Sequence, residues 1–68
     1  MKKEWLRFGA PPPYKAVVLV EHRGPWSTPV FIWRITRGHN VVATGEASSG
    51  DRATRALLER LQAMGMKV

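Results

Sequence analysis

The chain has 68 residues, no cysteine, and 11 lysine and arginine residues against 5 aspartate and glutamate residues, for a formal net charge of +6. A chain this short forms one domain with a small core, since hydrophobic burial and conformational entropy nearly cancel at this size. We therefore expect no deep pocket for a small substrate. The lack of cysteine excludes a disulfide framework and thiolate metal ligands. The positive charge favours polyanions or acidic protein surfaces as partners.

Hydropathy predicts a soluble intracellular protein, and we expect a cytoplasmic location. No apolar run approaches the roughly 18 residues that a membrane helix needs. The basic start of the chain also lacks the apolar stretch of a signal peptide. We therefore expect no membrane partner.

Residues 1–13 are predicted to form an N-terminal arm, and residues 14–68 to form the single folded domain. The arm mixes basic and aromatic side chains and ends in a run of three prolines, Pro11 to Pro13. Three prolines favour extended polyproline II geometry and supply no amide donors. The arm is expected either to be flexible or to dock on another surface through residues such as Trp5.

Three strands are predicted to follow the arm. Tyr14–His22 has a β-branched centre and ends at a glycine–proline turn signal. After a loop that contains Trp26, Val30–Arg37 forms the second strand. A tight turn at residues 38–40 then leads into the third strand, Val41–Ala47, because glycine and asparagine adopt positive φ at little cost.

The second predicted strand has an informative alternation of side chains. Phe31, Trp33 and Ile35 share one face, and we assign that face to the core. Arg34 and Thr36 lie on the other face, which is therefore the wetter one. We expect this second face to be exposed, covered by the arm, or used in binding.

The last part of the chain is predicted to form an amphipathic helix. Either Ser48 or Ser49 can cap its start, Asp51 suits the positive end of the helix dipole, and Gly65 is a good stop signal. Apolar residues recur at helical spacing, at Ala53, Ala56, Leu57, Leu61 and Met64. The predicted fold is α+β: a three-stranded antiparallel meander packed on one face by a C-terminal helix (β-β-β-α), after a Pro-rich arm.

The sequence contains no pattern of residues typical of a catalytic site. His22 and His39 lack a carboxylate partner at a suggestive spacing, and two histidines without cysteine make a poor metal site. Glu46 and Asp51 flank the predicted helix start, where they are more simply explained as capping residues. We expect no enzymatic activity, no cofactor and no metal.

Four short motifs follow one another in a recognisable order: a proline–tyrosine start to the first strand, a glycine–proline loop, an aromatic second strand, and a glycine–serine segment before the helix. They are Pro12-Pro13-Tyr14, Gly24-Pro25-Trp26-Ser27, Phe31 with Trp33 and Ile35, and residues 45–49, followed by Ala53. This order resembles the C-terminal part of a double-stranded-RNA-binding domain. The resemblance implies the β-β-β-α fold and contact with an RNA duplex.

The chain departs from that family at the residues that bind RNA. The first helix of the family is missing, and Gly50, Asp51 and Thr54 stand where the family has helix lysines. Arg52 and Arg55, one position away, are the residues that can replace them.

A meander followed by a helix is also similar to the arm-DNA-binding domain of phage-type integrases. In that family the sheet enters a DNA major groove. The similarity implies that Arg34 and Arg37 form part of a basic sheet face that contacts DNA.

The first functional hypothesis is a small, non-catalytic nucleic-acid-binding module, with DNA and RNA both left open as ligands. Its phosphate contacts are expected from basic residues of the arm, the sheet and the helix start. These residues are Lys2, Lys3, Arg7, Arg34, Arg37, Arg52 and Arg55.

The alternative hypothesis is a protein-interaction module, such as a regulator or inhibitor encoded by a phage or mobile element. Aromatic residues and arginines supply much of the binding energy in such interfaces. Trp5, Tyr14 and Trp26 are the candidate anchors, with arginines facing an acidic protein surface. The first or third predicted strand also offers a free edge for a homodimer.

Overall fold

A computed structural model describes residues 2–25 and 28–66, and for Lys2 it describes the backbone alone. The predicted α+β class, with an antiparallel sheet and one C-terminal helix, is confirmed. The predicted number of strands is wrong, because the sheet has four strands and not three. The elements are β1 (Lys2–Phe8), β2 (Tyr14–Glu21), β3 (Val30–Arg37), β4 (Asn40–Ala47) and α1 (Gly50–Ala63).

The additional strand, β1, corrects the prediction of an N-terminal arm. It pairs antiparallel with β2, so that Lys3 lies opposite Val20 and Phe8 lies opposite Ala16. The register shifts between Glu4 and Leu6, which identifies a bulge at Trp5. The three consecutive prolines, Pro11 to Pro13, lie in the short connection between β1 and β2. The four strands lie in the order β1-β2-β3-β4.

The core lies between α1 and one face of the sheet. Ala16 and Val18 of β2 and Ile35 of β3 are fully buried there, against apolar residues of the helix. Phe31 and Trp33 are half-buried against the same cluster, so the predicted core face of β3 is confirmed. The buried helix residues are Ala53, Leu57 and Leu61.

The β3–β4 hairpin has a two-residue turn, Gly38 and His39, and Asn40 already belongs to β4. Gly38 has a φ of +60°, while no described residue other than glycine has a positive φ. Positive φ at only the first central residue fits a type II′ turn, in which glycine takes that position and the turn twist matches that of the strands.

Both ends of α1 have the predicted signals. Ser49 is the N-cap, and its hydroxyl accepts a hydrogen bond of 3.2 Å from the backbone N–H of Arg52. At the other end Gly65 has a φ of +83°, and the N–H of Met66 donates to the carbonyl oxygen of Leu61 at 3.0 Å. This is the Schellman pattern, and Met66 packs back onto the core as it requires.

Among the described residues no helix has the length and apolar character that crossing a bilayer requires.

Candidate functional site

The face of the sheet opposite α1 is the most distinctive surface of the protein. We call it the open face, since no helix or strand within residues 2–25 and 28–66 covers it. Paired residues on neighbouring antiparallel strands project to the same side, so the register defines rows across the sheet. The rows of the open face are Lys15–Thr36–Val41, Arg7–Val17–Arg34–Thr44, Glu4–Leu19–Ile32–Glu46 and Glu21–Val30.

Arg34 lies near the centre of the open face, with Val17 opposite on β2 and Thr44 opposite on β4. Its Nε is buried, yet it has no hydrogen-bond partner among the described residues. The nearby hydroxyl of Thr44 instead donates to the carbonyl oxygen of Trp33 at 3.0 Å. No carboxylate of the described chain forms an ion pair with Arg34. The structure therefore places an unneutralised guanidinium group in the middle of this surface.

One end of the open face is held together by a bridging arginine. Arg23 donates to Glu21 at 2.9 Å and to Glu46 at 2.8 Å, and these hydrogen bonds raise its pKa further. Glu21 belongs to β2 and Glu46 to β4, so the Arg23 side chain spans β3. Ile32, on β3 and opposite Glu46, is only 6% exposed although it lies on the open face.

A second arginine–glutamate pair lies on β1. Arg7 donates from Nε to Glu4 at 2.9 Å and from Nη2 to the other carboxylate oxygen at 3.0 Å, a two-bond fork. The hydrogen bonds, and then the charge of Glu4, raise the pKa of Arg7. Both side chains are well exposed, so water screens the pair.

The charges of the open face are therefore unevenly distributed. The carboxylates of Glu4, Glu21 and Glu46 occupy the rows at one end, and each is paired with an arginine. The other end carries Lys15 and Arg34, with Arg7 alongside. That end has an excess of positive charge, and we call Arg7, Lys15 and Arg34 the cationic cluster.

Arg34 and Arg37 do not form the shared basic face that we expected. They are three residues apart on β3, an odd spacing that sends their side chains to opposite faces. The Arg37 guanidinium carbon lies 5.8 Å from the centre of the Tyr14 ring. Tyr14 itself packs against the core on the helix side.

The helix arginines are also separated from the cationic cluster. Arg52 and Arg55 are exposed on α1, which lies on the opposite side of the sheet. Arg55 lines a shallow depression whose lining residues all belong to α1, so the depression has no second wall. No ion pair joins Arg55 to Glu59 in the described chain.

The remaining predicted site residues are scattered. Lys3 is exposed and lies opposite Val20, in a row of the helix side. The side chain of Lys2 and the whole of Trp26 lie outside the described residues. The structure thus brings Arg7 and Arg34 to one face and leaves Lys3, Arg37, Arg52 and Arg55 elsewhere.

Lys15 is a member of the cationic cluster that our site prediction missed. It lies opposite Thr36, two residues along β2 from Val17 and in the next row of the open face. The signal was present in the sequence, since Lys15 and Val17 have the same parity on one strand and Thr36 shares the face of Arg34.

Trp5 is exposed for 45% of its surface, but it is anchored. Its ring meets that of Phe31 edge-on, with 5.4 Å between the ring centres. A Cβ at position 50 would collide with the Trp5 ring, so Gly50 allows this ring to rest on the start of α1. Trp5 therefore links the edge strand β1 to both β3 and the helix.

Metal-binding chemistry has no support in the described part of the chain, where no three histidine, cysteine or acidic residues are grouped to hold an ion. His22 and His39 are both exposed, at the end of β2 and in the hairpin turn.

No protein-family model, no curated protein and no solved structure matches this chain. The similarity to double-stranded-RNA-binding domains and to integrase arm-binding domains therefore stays a prediction.

Proposed function

We propose that this protein is a small non-catalytic nucleic-acid-binding module that contacts phosphates through the cationic cluster of its open face. The observation that carries the proposal is Arg34, a half-buried arginine without a partner among the described residues, near the centre of the open face. A guanidinium group that is partly removed from water and lacks an anion is unfavourable. A phosphate bound at the open face would supply the anion that this guanidinium group lacks.

The neighbours of Arg34 support a polyanion as the ligand. Arg7 lies two strands away and Lys15 lies on the strand between them. Strands are about 4.8 Å apart, so the Arg7 and Arg34 backbones are separated by roughly 10 Å, the scale of a nucleic-acid groove. A ligand with several phosphates can meet these charges together, whereas a single small anion cannot.

Two of the three acidic residues of the open face do not oppose this binding, whereas Glu4 competes with it. Glu21 and Glu46 are neutralised by Arg23 at the far end of the face. Glu4 is bound to Arg7, so a phosphate competes with this carboxylate for the same guanidinium fork. Lys3, Arg52 and Arg55 lie off the face and contribute only through the overall positive charge.

The test is a titration of labelled duplex DNA, duplex RNA and single strands at several salt concentrations, followed by fluorescence anisotropy. The double variant Lys15→Met with Arg34→Met keeps the aliphatic stems and removes two charges from the open face. Each lost phosphate contact reduces the slope of log affinity against log salt by about 0.9. We expect the double variant to lose affinity and about 1.8 units of slope on duplexes.

The matched control is Arg52→Met with Arg55→Met, which removes the same charge from α1. This control should keep most of the slope, because both residues lie on the other side of the sheet. The proposal is wrong if the unaltered protein binds neither duplex DNA, nor duplex RNA, nor single strands at low salt. The placement on the open face is wrong if the two double variants lose affinity equally.

A protein-interaction module is the second candidate, and one observation favours it. Trp5 and Leu6 are neighbours on an edge strand and are 45% and 40% exposed. Exposed aromatic and aliphatic residues at one place are common in binding sites for other proteins. Trp5→Ala should then abolish capture of the partner, while the Lys15→Met and Arg34→Met variant should retain it. Retention of the partner by Trp5→Ala would contradict this candidate.

A further inference from the structure

The two edges of the sheet differ sharply in charge. β1 carries three basic residues and one acidic residue in the sequence KKEWLRF, and it has a bulge at Trp5. Lysines and bulges on an edge strand discourage pairing with another chain. β4, at the opposite edge, has the sequence NVVATGEA and contains no basic residue. Its one charged residue, Glu46, is already bound to Arg23.

β4 also exposes apolar side chains. Val41 is 56% exposed and Val42 is 39% exposed. The strand pairs with β3 on one side, and no strand of residues 2–25 and 28–66 pairs with its other side. The bulge of β4 lies at Val42, close to the hairpin, and residues 43–47 keep a regular register with β3. A regular segment with unpaired backbone groups is thus available at this edge.

A shallow cleft lies above the same edge, on the helix side. The Trp33 ring extends over β4, because Gly45 opposite it has no side chain. The small residues Ala56 and Ala63 of α1 complete the cleft, with Glu59 and Arg60 at its rim. The rim therefore carries one charge of each sign, an arrangement that is complementary to itself in a two-fold pair.

We propose that β4 forms an isologous homodimer interface, in which the β4 strands of two copies pair antiparallel into one eight-stranded sheet. The occupant is a second copy of this chain for reasons of charge. Two molecules of net charge +6 repel each other, and β4 is the edge at which they can meet without bringing cations together. Across a two-fold axis, Glu59 of each copy can face Arg60 of the other.

Antiparallel pairing of identical strands places the two-fold axis perpendicular to the sheet, so both helices lie on the same side. The clefts at Trp33 then face each other, and the two open faces become one continuous surface. The dimer itself does not depend on the proposed function. Its consequence for binding does, since two cationic clusters on one surface would double the number of phosphate contacts.

The test is the molar mass of nucleic-acid-free protein, measured by sedimentation equilibrium at moderate salt and up to about 100 μM. We expect the unaltered protein at twice 7.7 kDa. Val42→Lys puts a cation on the β4 edge, and we expect this variant at 7.7 kDa. Leu6→Lys is the control. Leu6 is 40% exposed on the β1 edge, and Val42 is 39% exposed on the β4 edge. The Leu6→Lys variant should remain dimeric.

A second measurement does not depend on any variant. Amide hydrogen exchange of residues 43–47 should slow as protein concentration rises, while exchange in β1 should not. The proposal is overturned if the unaltered protein sediments as a monomer throughout this range. It is equally overturned if Val42→Lys stays dimeric, or if Leu6→Lys dissociates as readily as Val42→Lys while both variants remain folded by circular dichroism.

Discussion

Trp33 and Gly45 lie directly opposite each other on β3 and β4, and the indole ring occupies the space where a side chain at position 45 would be. A Cβ on Gly45 would lie 2.5 Å from Nε1 and 2.6 Å from Cε2 of Trp33. An aromatic residue that covers a glycine on an edge strand compensates for the missing side chain. The Trp33 ring also lines the cleft between the sheet and α1.

We expect Gly45→Ala to destabilise the protein by about 1–3 kcal/mol, because the Trp33 ring must move within packed surroundings. Alanine is otherwise favoured over glycine in a strand by about 0.5–1 kcal/mol. Any loss of stability in Gly45→Ala would therefore come from the collision of the new methyl group with the Trp33 ring. Urea denaturation followed by circular dichroism measures this change. Gly9→Ala is the control: a Cβ there meets nothing within 4 Å, and we expect a change within about 0.5 kcal/mol. Equal urea midpoints for the two variants would contradict this account.

Trp5 provides the second prediction, which concerns the attachment of β1. Trp5→Ala removes the edge-on contact with Phe31 and the cover over Gly50. We expect a loss of about 1.5–3 kcal/mol, below the range for a fully buried tryptophan, together with faster amide exchange in β1. Leu6→Ala, at the neighbouring exposed position, should cost about 1 kcal/mol or less. Unchanged exchange in β1 after Trp5→Ala would mean that other contacts hold the strand.

Ser49 provides the third prediction, since the sequence allowed two serines as the helix cap. Ser49 receives the hydrogen bond from the N–H of Arg52, whereas Ser48 is exposed and makes no such bond in the described chain. We expect Ser49→Ala to cost about 1 kcal/mol of stability and Ser48→Ala to cost less than about 0.5 kcal/mol. Thermal unfolding measures both. A larger loss of stability for Ser48→Ala than for Ser49→Ala would mean that Ser48 is the cap.

The local elements of the fold could be predicted from the sequence because their signals are local. The alternation in β3, the glycine at the hairpin turn and the cap and stop of α1 each lie within a few residues of the structure that they specify. β1 was missed for two physical reasons. Its bulge at Trp5 breaks the alternation on which strand prediction relies, and its pairing with β2 is a tertiary contact that no short window contains.

The same omission limited the prediction of the candidate site. Without β1, Arg7 belongs to an arm, and neither its place beside Val17 nor its pairing with Glu4 can be foreseen. Of the two strands that we offered as a free edge, the first is the interior strand β2, and the third is the edge strand β4. The error of placing Arg37 on the same face as Arg34 could have been avoided, because the odd spacing of the two residues along β3 already sends them to opposite faces.

The Glu4–Arg7 pair yields the last prediction, a gain of affinity. Glu4→Gln removes the carboxylate that occupies the Arg7 guanidinium at 2.9 and 3.0 Å. The freed group can bind a phosphate, so we expect tighter nucleic-acid binding and an increase of up to about 0.9 in the salt slope. Folding stability should be almost unchanged, because exposed ion pairs contribute little. Anisotropy titrations at several salt concentrations and urea denaturation measure the two effects.

Asp51→Asn is the matched control for Glu4→Gln, since it removes the same negative charge beside Arg52 on α1. If binding responds only to net charge, the two variants will gain affinity equally. That result would mean that the cationic cluster is not the place where phosphate binds. If Arg7 contacts phosphate, only Glu4→Gln will raise the salt slope, because only there does a phosphate contact replace an existing ion pair. A gain confined to Glu4→Gln therefore connects a particular guanidinium to the ligand, which a loss of affinity on removing arginines cannot do by itself.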